Sequence, residues 1–433
     1  MSNLINFNLN QYFKIKGIEQ VINVIFPLIS LSDHVSERKR SKSWFYIISG
    51  TFYLLIKLFF LRKKKLSINK NYDVLLFAPN LKYRRFVDAI TNNVSFSYLV
   101  LSEESYDNDV FTVDDFKLFK SKNYVFTLLF RLINIYLSSY KSSQLNSFKI
   151  NYWNILSLTR RDLTAKLLFN EVKFNNYFSF HPVEGYHQII QNFYKTYFKN
   201  TYAIRPTTTT FSKEHQFIKT DNLFFKTDLE YKIYQHYILD SVNLIKGGII
   251  AEPKEINKKV NTKGVLFLDT CTNINFESIA IRRKAISHFI EFSKHSKLNV
   301  YYKFHPGLIN KERIFTEKII LENSRFKVIE DDIPWESISV ALGFDTTLFY
   351  DCFLHRVPVL SFRKEYSLFV NLDSEFSSSP VIPISKKTDF EIIDKLNRSN
   401  SLWHEINDEQ YFWFSKQYNF PEGLLIIKQI LND

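Results

Sequence analysis

The strongest constraint on the fold is a series of short apolar runs in the second half of the chain. These runs are GVLFLDTCTN (264–273), LNVYYKFHPG (298–307), FKVIEDD (326–332), SVALGF (339–344) and VPVLSF (357–362). The segment between the first two, ESIAIRRKAISHFIEFSKH (277–295), has the length and composition of a helix. Short apolar runs that alternate with helices predict buried parallel strands, so we expect an α/β fold.

The first half of the chain shows the same alternation. YDVLLFAPN (72–80) and YLVLS (98–102) are predicted strands, and a helix is expected between them from about residue 83. A long aromatic, amphipathic stretch follows at 124–140, and residues 176–198 have the pattern of a strand, a loop and a helix. Both halves are therefore predicted to contain a parallel sheet.

The length of the chain predicts two domains, because 433 residues exceed the size at which one hydrophobic core stops growing. Residues 246–263 lack periodicity and are rich in Gly, Lys, Asn and Pro, which is typical of a linker. We expect a GT-B architecture, in which two Rossmann-like domains, 66–255 and 256–433, face a cleft. The segment 409–431 is predicted to form a helix pair that crosses back to the first domain.

The net charge of +13 indicates an anionic partner. The densest basic clusters, ERKRSK (37–42) and RKKK (62–65), flank an apolar segment at 43–61 that contains a lysine and a glycine. Such a segment is marginal for crossing a membrane, so within residues 1–65 we expect an interfacial helix on an anionic membrane surface. A helix buried against the first domain and a single transmembrane anchor are the alternatives. The absence of a nucleic-acid motif argues against a nucleic-acid partner.

The cysteine content indicates a reducing compartment. The chain has two cysteines, Cys271 and Cys352, which cannot form a disulfide framework, and no cluster of Cys and His indicates zinc. The N-terminus lacks the charged region, apolar run and cleavage site of a signal peptide. We therefore expect neither a secreted protein nor a bound metal.

A phosphate-containing ligand would have to be held without a glycine-rich loop. The chain has neither GxGxxG after its first strand nor GxxxxGK[ST], so dinucleotide and P-loop sites are not supported. His305 follows the predicted strand NVYYKF and precedes Pro306, which fixes the backbone, and Gly307. Ligands of open α/β sheets bind at the carboxyl ends of the strands. An imidazole there can donate to a phosphate oxygen and stabilise its charge, although an ordinary capping or core histidine is the alternative.

A second group of candidates follows in EDDIPWESISVALGFDTTLFYD (330–351). Glu336 is predicted on a helix, where its carboxylate can accept hydrogen bonds from ribose hydroxyls. Asp345, Thr346 and Thr347 are predicted at the turn between a strand and a helix. Hydroxyls and backbone amides at a helix N-terminus can bind a phosphate, and the same threonines can also simply cap the helix.

With these motifs the sequence resembles the bacterial GT-B sialyltransferases and polysialyltransferases. That group shares an acidic-acidic-Gly motif in the first domain, a His-Pro motif in the second and a Ser/Thr pair beyond it. The resemblance covers the second half best, from GVLFLDT through YYKFHPG and IPWES to FDTTLFYD. It implies that the motif at 305–307 contacts the phosphate of a CMP-sugar and that His305 assists its departure. It also implies that Thr346 and Thr347 take the place of the serine pair and that Glu336 binds the ribose.

The match to the first-domain motif is HPVEGYHQ (181–188), in which Val183 stands where the family has a second acid. The resemblance implies that Glu184 is the base that removes the proton of the acceptor hydroxyl, and one carboxylate suffices for that chemistry. His181 and His187 are the alternative bases, and a loop glutamate without a catalytic role is the plain alternative for Glu184.

Three arginines outside these motifs complete the candidates. Arg205, in TYAIRPTTTTF (201–211), is a possible bidentate partner for the carboxylate of an acidic sugar. Arg84 and Arg85 open the first predicted helix of the first domain, where we expect a solvated basic face.

The sequence therefore predicts an inverting, metal-independent glycosyltransferase without a cofactor. Its donor would be CMP-sialic acid or a related CMP-nonulosonic acid, and its acceptor a lipid-linked bacterial surface glycan such as lipooligosaccharide, O-antigen or capsule. Its expected location is the cytoplasmic face of the inner membrane. A CDP-alditol phosphotransferase and a Kdo transferase are the enzyme alternatives. The alternative without catalysis is a basic protein that binds a membrane surface or nucleic acid.

Overall fold

The computed structural model describes the greater part of both predicted domains. The described residues are 48, 51–52, 71–79, 83–92, 94–102, 110–112, 122–141, 145–182, 185–206, 215, 218–238, 241–248, 264–270, 276–305, 308, 310–322, 326–330, 332–344, 346, 348–362, 379–384, 386–418 and 422–433. The predicted interfacial segment lies outside them except for Ile48, Thr51 and Phe52, and the predicted linker lies outside them beyond Gly248. Over these ranges no helix is long and apolar enough to cross a membrane.

Seven parallel strands form the sheet of the first domain. They are β1 Asn71–Phe77, β2 Tyr98–Ser102, β3 Val110–Thr112, β4 Lys173–Ser179, β5 Asn200–Ile204, β6 Asn222–Phe225 and β7 Asn243–Lys246. Their order is β3-β2-β1-β4-β5-β6-β7, and every neighbouring pair is parallel. The order reverses between β1 and β4, which is therefore the switch point of a doubly wound sheet.

Six parallel strands form the second sheet. They are β8 Gly264–Leu268, β9 Asn299–Lys303, β10 Phe326–Ile329, β11 Val340–Gly343, β12 Val359–Ser361 and β13 Ile382–Pro383. Their order is β10-β9-β8-β11-β12-β13, again with parallel neighbours throughout. The switch point lies between β8 and β11. The predicted α/β class, with two Rossmann-like sheets, is confirmed.

Helices connect the strands in both domains. In the first domain they are α1 Arg84–Thr91, α2 Lys122–Lys141, α3 Leu145–Glu171, α4 Gly185–Ile189 and α5 Asp228–Tyr237, and α4 continues as a π-helical turn, Ile190–Tyr194. After β8 the helices are α6 Phe276–His295, α7 Asn310–Leu321, α8 Leu348–Leu354, α9 Glu391–Arg398, α10 Asn400–Gln417 and α11 Glu422–Asn432.

The prediction of a helix at Glu336 was wrong. The structure has a single 3-10 turn there, Trp335–Ser337. Pro334 precedes this turn and β11 begins at Val340, so the chain has no room for a second helical turn before it becomes extended.

The core of the second domain follows from the apolar composition of its strands. All four residues from Val265 to Leu268 are fully buried. Val265 and Phe267 belong to one apolar cluster, and Leu266 and Leu268 belong to another. Successive side chains of a strand point to opposite faces, so β8 contributes to the core on both sides of its sheet. A continuous apolar run, without alternation, is the pattern of such a strand.

A buried cation joins the elements around β8. Arg282, on α6, is fully buried and donates to both carboxylate oxygens of Asp269, from Nε at 2.7 Å and from Nη2 at 2.6 Å. Its Nη1 donates to Glu312 on α7 at 3.2 Å, and its Nη2 also reaches Thr316 at 2.9 Å and the hydroxyl of Tyr302 at 3.4 Å.

The partners of Arg282 keep it charged in the interior. Burial opposes the charge, but the hydrogen bonds that Arg282 donates to Asp269 and the nearby anionic groups raise the pKa of the guanidinium above its ordinary value. A buried ion pair depends on such complete hydrogen bonding, because an unmatched partner would carry the full cost of its desolvation.

The substitution Arg282→Ala is expected to lower the free energy of unfolding by about 3 to 5 kcal/mol, because it leaves Asp269 and Glu312 without their shared cation. Urea unfolding measures this loss. The control is Arg313→Ala, since Arg313 pairs with Glu317 and Glu330 at the surface, with 38% of its side chain exposed. Exposed pairs contribute about 1 kcal/mol or less. Equal losses for the two variants would contradict a central role for Arg282.

Helix α11 returns from the second domain to the first. Its side chains Leu424, Ile427 and Leu431 lie in one apolar cluster with Val74 and Leu76 of β1. The ammonium group of Lys428 donates to the carbonyl of Asn92, just after α1, at 2.8 Å. The last helix of the chain is thus part of the core of the first domain.

Three glycines allow the chain to cross itself where it leaves and re-enters the first domain. Gly247 and Gly248 follow β7, and Gly423 lies in the first turn of α11. A Cβ atom on Gly423 would overlap the backbone nitrogen of Gly248, and a Cβ on Gly248 would lie 2.9 Å from the carbonyl oxygen of Tyr418. The backbones meet directly, so no other residue type fits without displacing one of them.

The substitution Gly423→Ala is expected to destabilise the protein by about 1 to 3 kcal/mol, which is typical of overpacking against atoms that cannot move aside. Thermal unfolding measures the effect. Leu425→Ala provides the control on the same helix, because 54% of Leu425 is exposed. If Gly423→Ala unfolds at the temperature of the wild-type protein, the two backbones do not touch in solution.

Candidate functional site

The two switch points identify the edges at which a ligand can bind. In open parallel sheets the loops at the carboxyl ends of the two switch-point strands leave a crevice between them. In the first domain these are the loops after β1 and β4, and in the second those after β8 and β11. The predicted residues His181 and Glu184 follow β4, and Thr346 follows β11. His305 follows β9, the neighbour of β8.

His305 lies at the carboxyl edge of the second sheet. The strand β9 ends at Lys303, Phe304 is buried and His305 is half-buried. The backbone N–H of Leu308 donates to the carbonyl of His305 at 3.0 Å. Pro306 and Gly307 lie outside the described residues. The carbonyl of Lys303 accepts from the backbone of Asp269 at 3.0 Å, which keeps the ends of β8 and β9 level.

Thr346 lies in the turn between β11 and α8. Its hydroxyl oxygen accepts from the backbone N–H of Leu348 at 3.3 Å, and its carbonyl accepts from Phe349 at 3.0 Å. The threonine therefore caps α8, as one of the two interpretations predicted. A hydroxyl that accepts this bond can still donate its proton to a ligand oxygen. Asp345 and Thr347 lie outside the described residues.

Glu336 lies just before the amino-terminal end of β11. It is exposed and lies in the 3-10 turn Trp335–Ser337, whereas Thr346 lies beyond the opposite end of the same strand. A strand of four residues, Val340–Gly343, spans about 13 Å. The two side chains thus belong to opposite edges of the sheet, and the structure does not bring Glu336 into the group formed by His305 and Thr346.

At the first switch point the structure describes His181 but not Glu184. His181 is half-buried, its backbone N–H donates to the hydroxyl of Ser179 at 3.2 Å, and its ring contacts the edge of Tyr83. Glu184 and Val183 lie outside the described residues, and α4 begins directly after them at Gly185. The predicted strand and helix on either side are present, since β4 ends at Ser179 and α4 begins at Gly185.

His187 is a core residue and not an accessible base. It is fully buried, with Nδ1 3.2 Å from the hydroxyl of Tyr177 and Nε2 2.9 Å from the carbonyl of Lys219. Burial lowers the pKa of its imidazole to about 3, although the hydrogen bond with Lys219 opposes this change. The side chain is neutral near neutral pH and connects α4 to the sheet.

An ion pair across the domain boundary was not predicted. The guanidinium of Arg85, at the start of α1, pairs with the carboxylate of Asp351 on α8. Burial raises the pKa of the Asp351 carboxyl, and the charge of Arg85 opposes that rise. The expectation of a solvated basic face was therefore wrong for Arg85. For Arg84 the expectation is confirmed, since this side chain is half exposed and pairs with Asp88 at 3.8 Å.

A second cation of the first domain approaches the same helix. Lys226, directly after β6, is fully buried and donates to the carbonyl of Arg205 at 2.9 Å. Its ammonium nitrogen lies 3.5 Å from Glu230 and 5.9 Å from the ring centre of Tyr350 on α8. Cations within about 6 Å of an aromatic ring are attracted by it. The carboxyl edge of the first sheet thus contacts α8 at two places.

The arrangement suits a ligand with a phosphate group. Thr346 and His305 follow strands of one sheet at its carboxyl edge, and α8, which Thr346 caps, is held by Arg85 of the other domain. Within the described ranges no three His, Cys, Asp or Glu side chains form a group that could hold a metal ion. Arg205 follows β5 at the carboxyl edge of the first sheet, where its carbonyl accepts from Lys226.

The burial of His187 predicts a pH dependence of stability. The unfolded chain takes up the imidazole proton near pH 6.5, whereas the folded protein does so only near pH 3. Lowering the pH from 7.5 to 5 should therefore favour unfolding by about 2 kcal/mol through this residue. Urea unfolding at several pH values measures this change in the free energy of unfolding. The variant His187→Gln should lack this contribution, whereas His295→Gln, at an exposed position, should retain it. Identical slopes for all three proteins would contradict a buried neutral imidazole.

Comparison with known proteins gives the fold and no closer relationship. No protein-family model matches the sequence, and no curated protein is significantly similar to it. Among solved structures, UDP-GlcNAc 2-epimerase from Neisseria meningitidis, bound to UDP-GlcNAc, matches with a TM-score of 0.53 and 11% identity, over 83% of this chain and 100% of that chain. The enzyme of the same name from Methanocaldococcus jannaschii matches with a TM-score of 0.50 and 11% identity, over 83% of this chain and 99% of its own.

A third solved structure covers a smaller share of the chain. S. aureus TarM, in complex with α-GlcNAc-glycerol and UDP, has a TM-score of 0.45 and 10% identity, over 64% of this chain and 59% of that chain. At these identities the matches describe architecture alone. The two matches with TM-scores of 0.53 and 0.50, together with the two doubly wound sheets, show that the chain has the two-domain GT-B fold.

Proposed function

We propose that the protein is an inverting glycosyltransferase that takes its sugar from a nucleotide donor. The observation that carries this proposal is the position of His305 and Thr346 at the carboxyl edge of the second sheet. A half-buried imidazole and a capping hydroxyl at one edge can together bind a phosphate as it leaves. The GT-B fold supports the proposal, because it places two such edges on either side of a cleft.

Within this class we propose a CMP-activated donor, CMP-sialic acid or a related nonulosonic acid. The support is the resemblance of the second half of the sequence to the bacterial sialyltransferase group. A donor with one phosphate has less need of a divalent cation than a diphosphate donor, so the reaction would proceed without metal. The acceptor would be a surface glycan on a lipid carrier, reached from the cytoplasmic face of the membrane.

The proposed mechanism assigns one role to each domain. Glu184 in the first domain removes the proton of an acceptor hydroxyl, whose oxygen attacks the anomeric carbon of the donor from the face opposite the nucleotide. The bond from that carbon to the phosphate oxygen breaks, and the charge on the CMP phosphate is stabilised by His305, Thr346 and Thr347. Glu336 enters as a ribose ligand by resemblance alone, and its place at the other edge of the sheet argues against that role.

An epimerase is the second candidate function. The two structures that match with TM-scores of 0.53 and 0.50 both carry the name UDP-GlcNAc 2-epimerase. An epimerase would change the configuration of a UDP-sugar without any acceptor, whereas the proposed transferase consumes donor and acceptor together.

The test is the release of nucleotide from CMP-sialic acid, CMP-Kdo, CDP-ribitol and UDP-GlcNAc by the purified protein in EDTA, with water taking the place of the acceptor hydroxyl. We expect release from CMP-sialic acid. The rate of release should fall about a hundredfold or more in Glu184→Gln, which lacks the base. It should fall similarly in His305→Ala, which lacks the imidazole that donates a hydrogen bond to the phosphate. His295→Ala, at the exposed end of α6, is the control and should keep wild-type activity.

Each other outcome has a defined meaning. Full activity in folded His305→Ala would contradict the assigned phosphate site, even with the correct donor. Release from CDP-ribitol or CMP-Kdo alone would support the proposal of a transferase and contradict the proposed donor. Conversion of UDP-GlcNAc to its epimer without an acceptor would replace the proposed function by the second candidate.

A further inference from the structure

One face of α2 is apolar and uncovered. Four large side chains form this face, which we call the α2 stripe: Phe126 is 60% exposed, Phe130 65%, Ile133 45% and Leu137 47%. Single exposed apolar residues are ordinary in folded proteins. A continuous row of large apolar side chains on one helix is not, and such rows mark surfaces that bind an apolar partner.

The spacing of the residues places the stripe on the outer side of the helix. At about 100° per residue, the four positions fall within an arc of about 60° and extend over about 16 Å. Leu128 and Leu132 lie on the opposite side and are buried, and α2 packs against α3. The helix is thus attached to the first domain by one apolar side and presents a second apolar side to the surroundings.

The charge of α2 restricts the kind of partner. Its sequence, KNYVFTLLFRLINIYLSSYK, contains Lys122, Arg131 and Lys141 and no acidic residue, within a chain of net charge +13. A second copy of the chain would bring an identical set of positive charges to the contact, which opposes association. A lipid bilayer with anionic headgroups offers both the apolar layer for the stripe and the opposite charge.

We infer that the α2 stripe inserts into the interfacial layer of an anionic lipid bilayer. The two phenylalanines would enter the boundary between headgroups and acyl chains, as the apolar side chains of interfacial helices do, and the positive charge of the helix would attract the anionic headgroups. Ile48 and Phe52, one helical turn apart, are likewise 64% and 65% exposed and fall within the segment expected to lie on a membrane. The inference about α2 depends on neither that segment nor the proposed chemistry.

The test is flotation of the full-length protein with lipid vesicles. Vesicles of phosphatidylcholine containing phosphatidylglycerol are compared with vesicles of phosphatidylcholine alone. The wild-type protein should float with the anionic vesicles, and the double substitution Phe126→Ser, Phe130→Ser should reduce the bound fraction at least about tenfold, since each exposed phenylalanine loses its burial in lipid. Both residues are exposed, so the variant should keep the circular dichroism and melting temperature of the wild type.

The matched control is Phe412→Ser. Phe412 lies on α10 in the second domain and is 70% exposed, so it tests whether any exposed phenylalanine has the same effect. It should bind vesicles like the wild type. Unchanged binding by the double variant, or an equal loss in Phe412→Ser, would overturn the inference. A wild-type dimer in light scattering that the double variant abolishes would also overturn it, in favour of a second copy of the chain.

Discussion

The second domain depends on the hydrogen bonds around one buried cation. Arg282 contacts Asp269 at the end of β8, Tyr302 on β9, and Glu312 and Thr316 on α7. The loop that contains His305 begins at the end of β9 and ends at the start of α7. Both ends of that loop are therefore fixed to the same guanidinium group.

This attachment matters because catalytic groups act through their position. A side chain that stabilises a leaving phosphate must be held in place before the charge develops. Arg282 does not face the proposed substrate, and its hydrogen-bond partners are within the domain. It instead connects Asp269 after β8, Tyr302 on β9 and two side chains of α7, and the loop of His305 runs between the last two of these elements.

The other half of the proposed site is fixed from across the domain boundary. Helix α8 begins just after Thr346, and the first domain contacts it through Arg85, which pairs with Asp351, and through Lys226, which lies beside Tyr350. Asp351, on α8, has only 15% of its side chain exposed and would be costly to leave without a cation. The helix that Thr346 caps is therefore held by contacts from the first domain as well as from its own.

The sequence was sufficient to predict what depends on local patterns. The apolar runs at 98–102 and 264–273 predicted β2 and β8 because strands buried on both faces have continuous apolar sequences. The strands β6 and β7 were not predicted, since NLFF and NLIK are short and carry little pattern. The helix at Glu336 failed for a related reason, as its residues are limited by Pro334 on one side and by β11 on the other.

The positions of His305 and Thr346 were predictable because each follows a strand in sequence. The charged residues that hold the surrounding elements in place were not predictable. Arg85 and Asp351 are separated by 266 residues, and the partners of Arg282 come from three separate elements. Nothing in the composition near any of these residues indicates which distant charge it will meet, since that depends on how the two sheets pack and how the domains face each other.

The crossing at Gly248 and Gly423 has a consequence for the synthesis of the protein. The second domain is inserted between β7 and α11 of the first, and the side chains of α11 fill the core beside β1. A ribosome completes the whole second domain before it makes the helix that the first domain lacks. The inserted domain therefore precedes α11 in the order of synthesis, and the first domain, although begun earlier, cannot close its core beside β1 until α11 has been made.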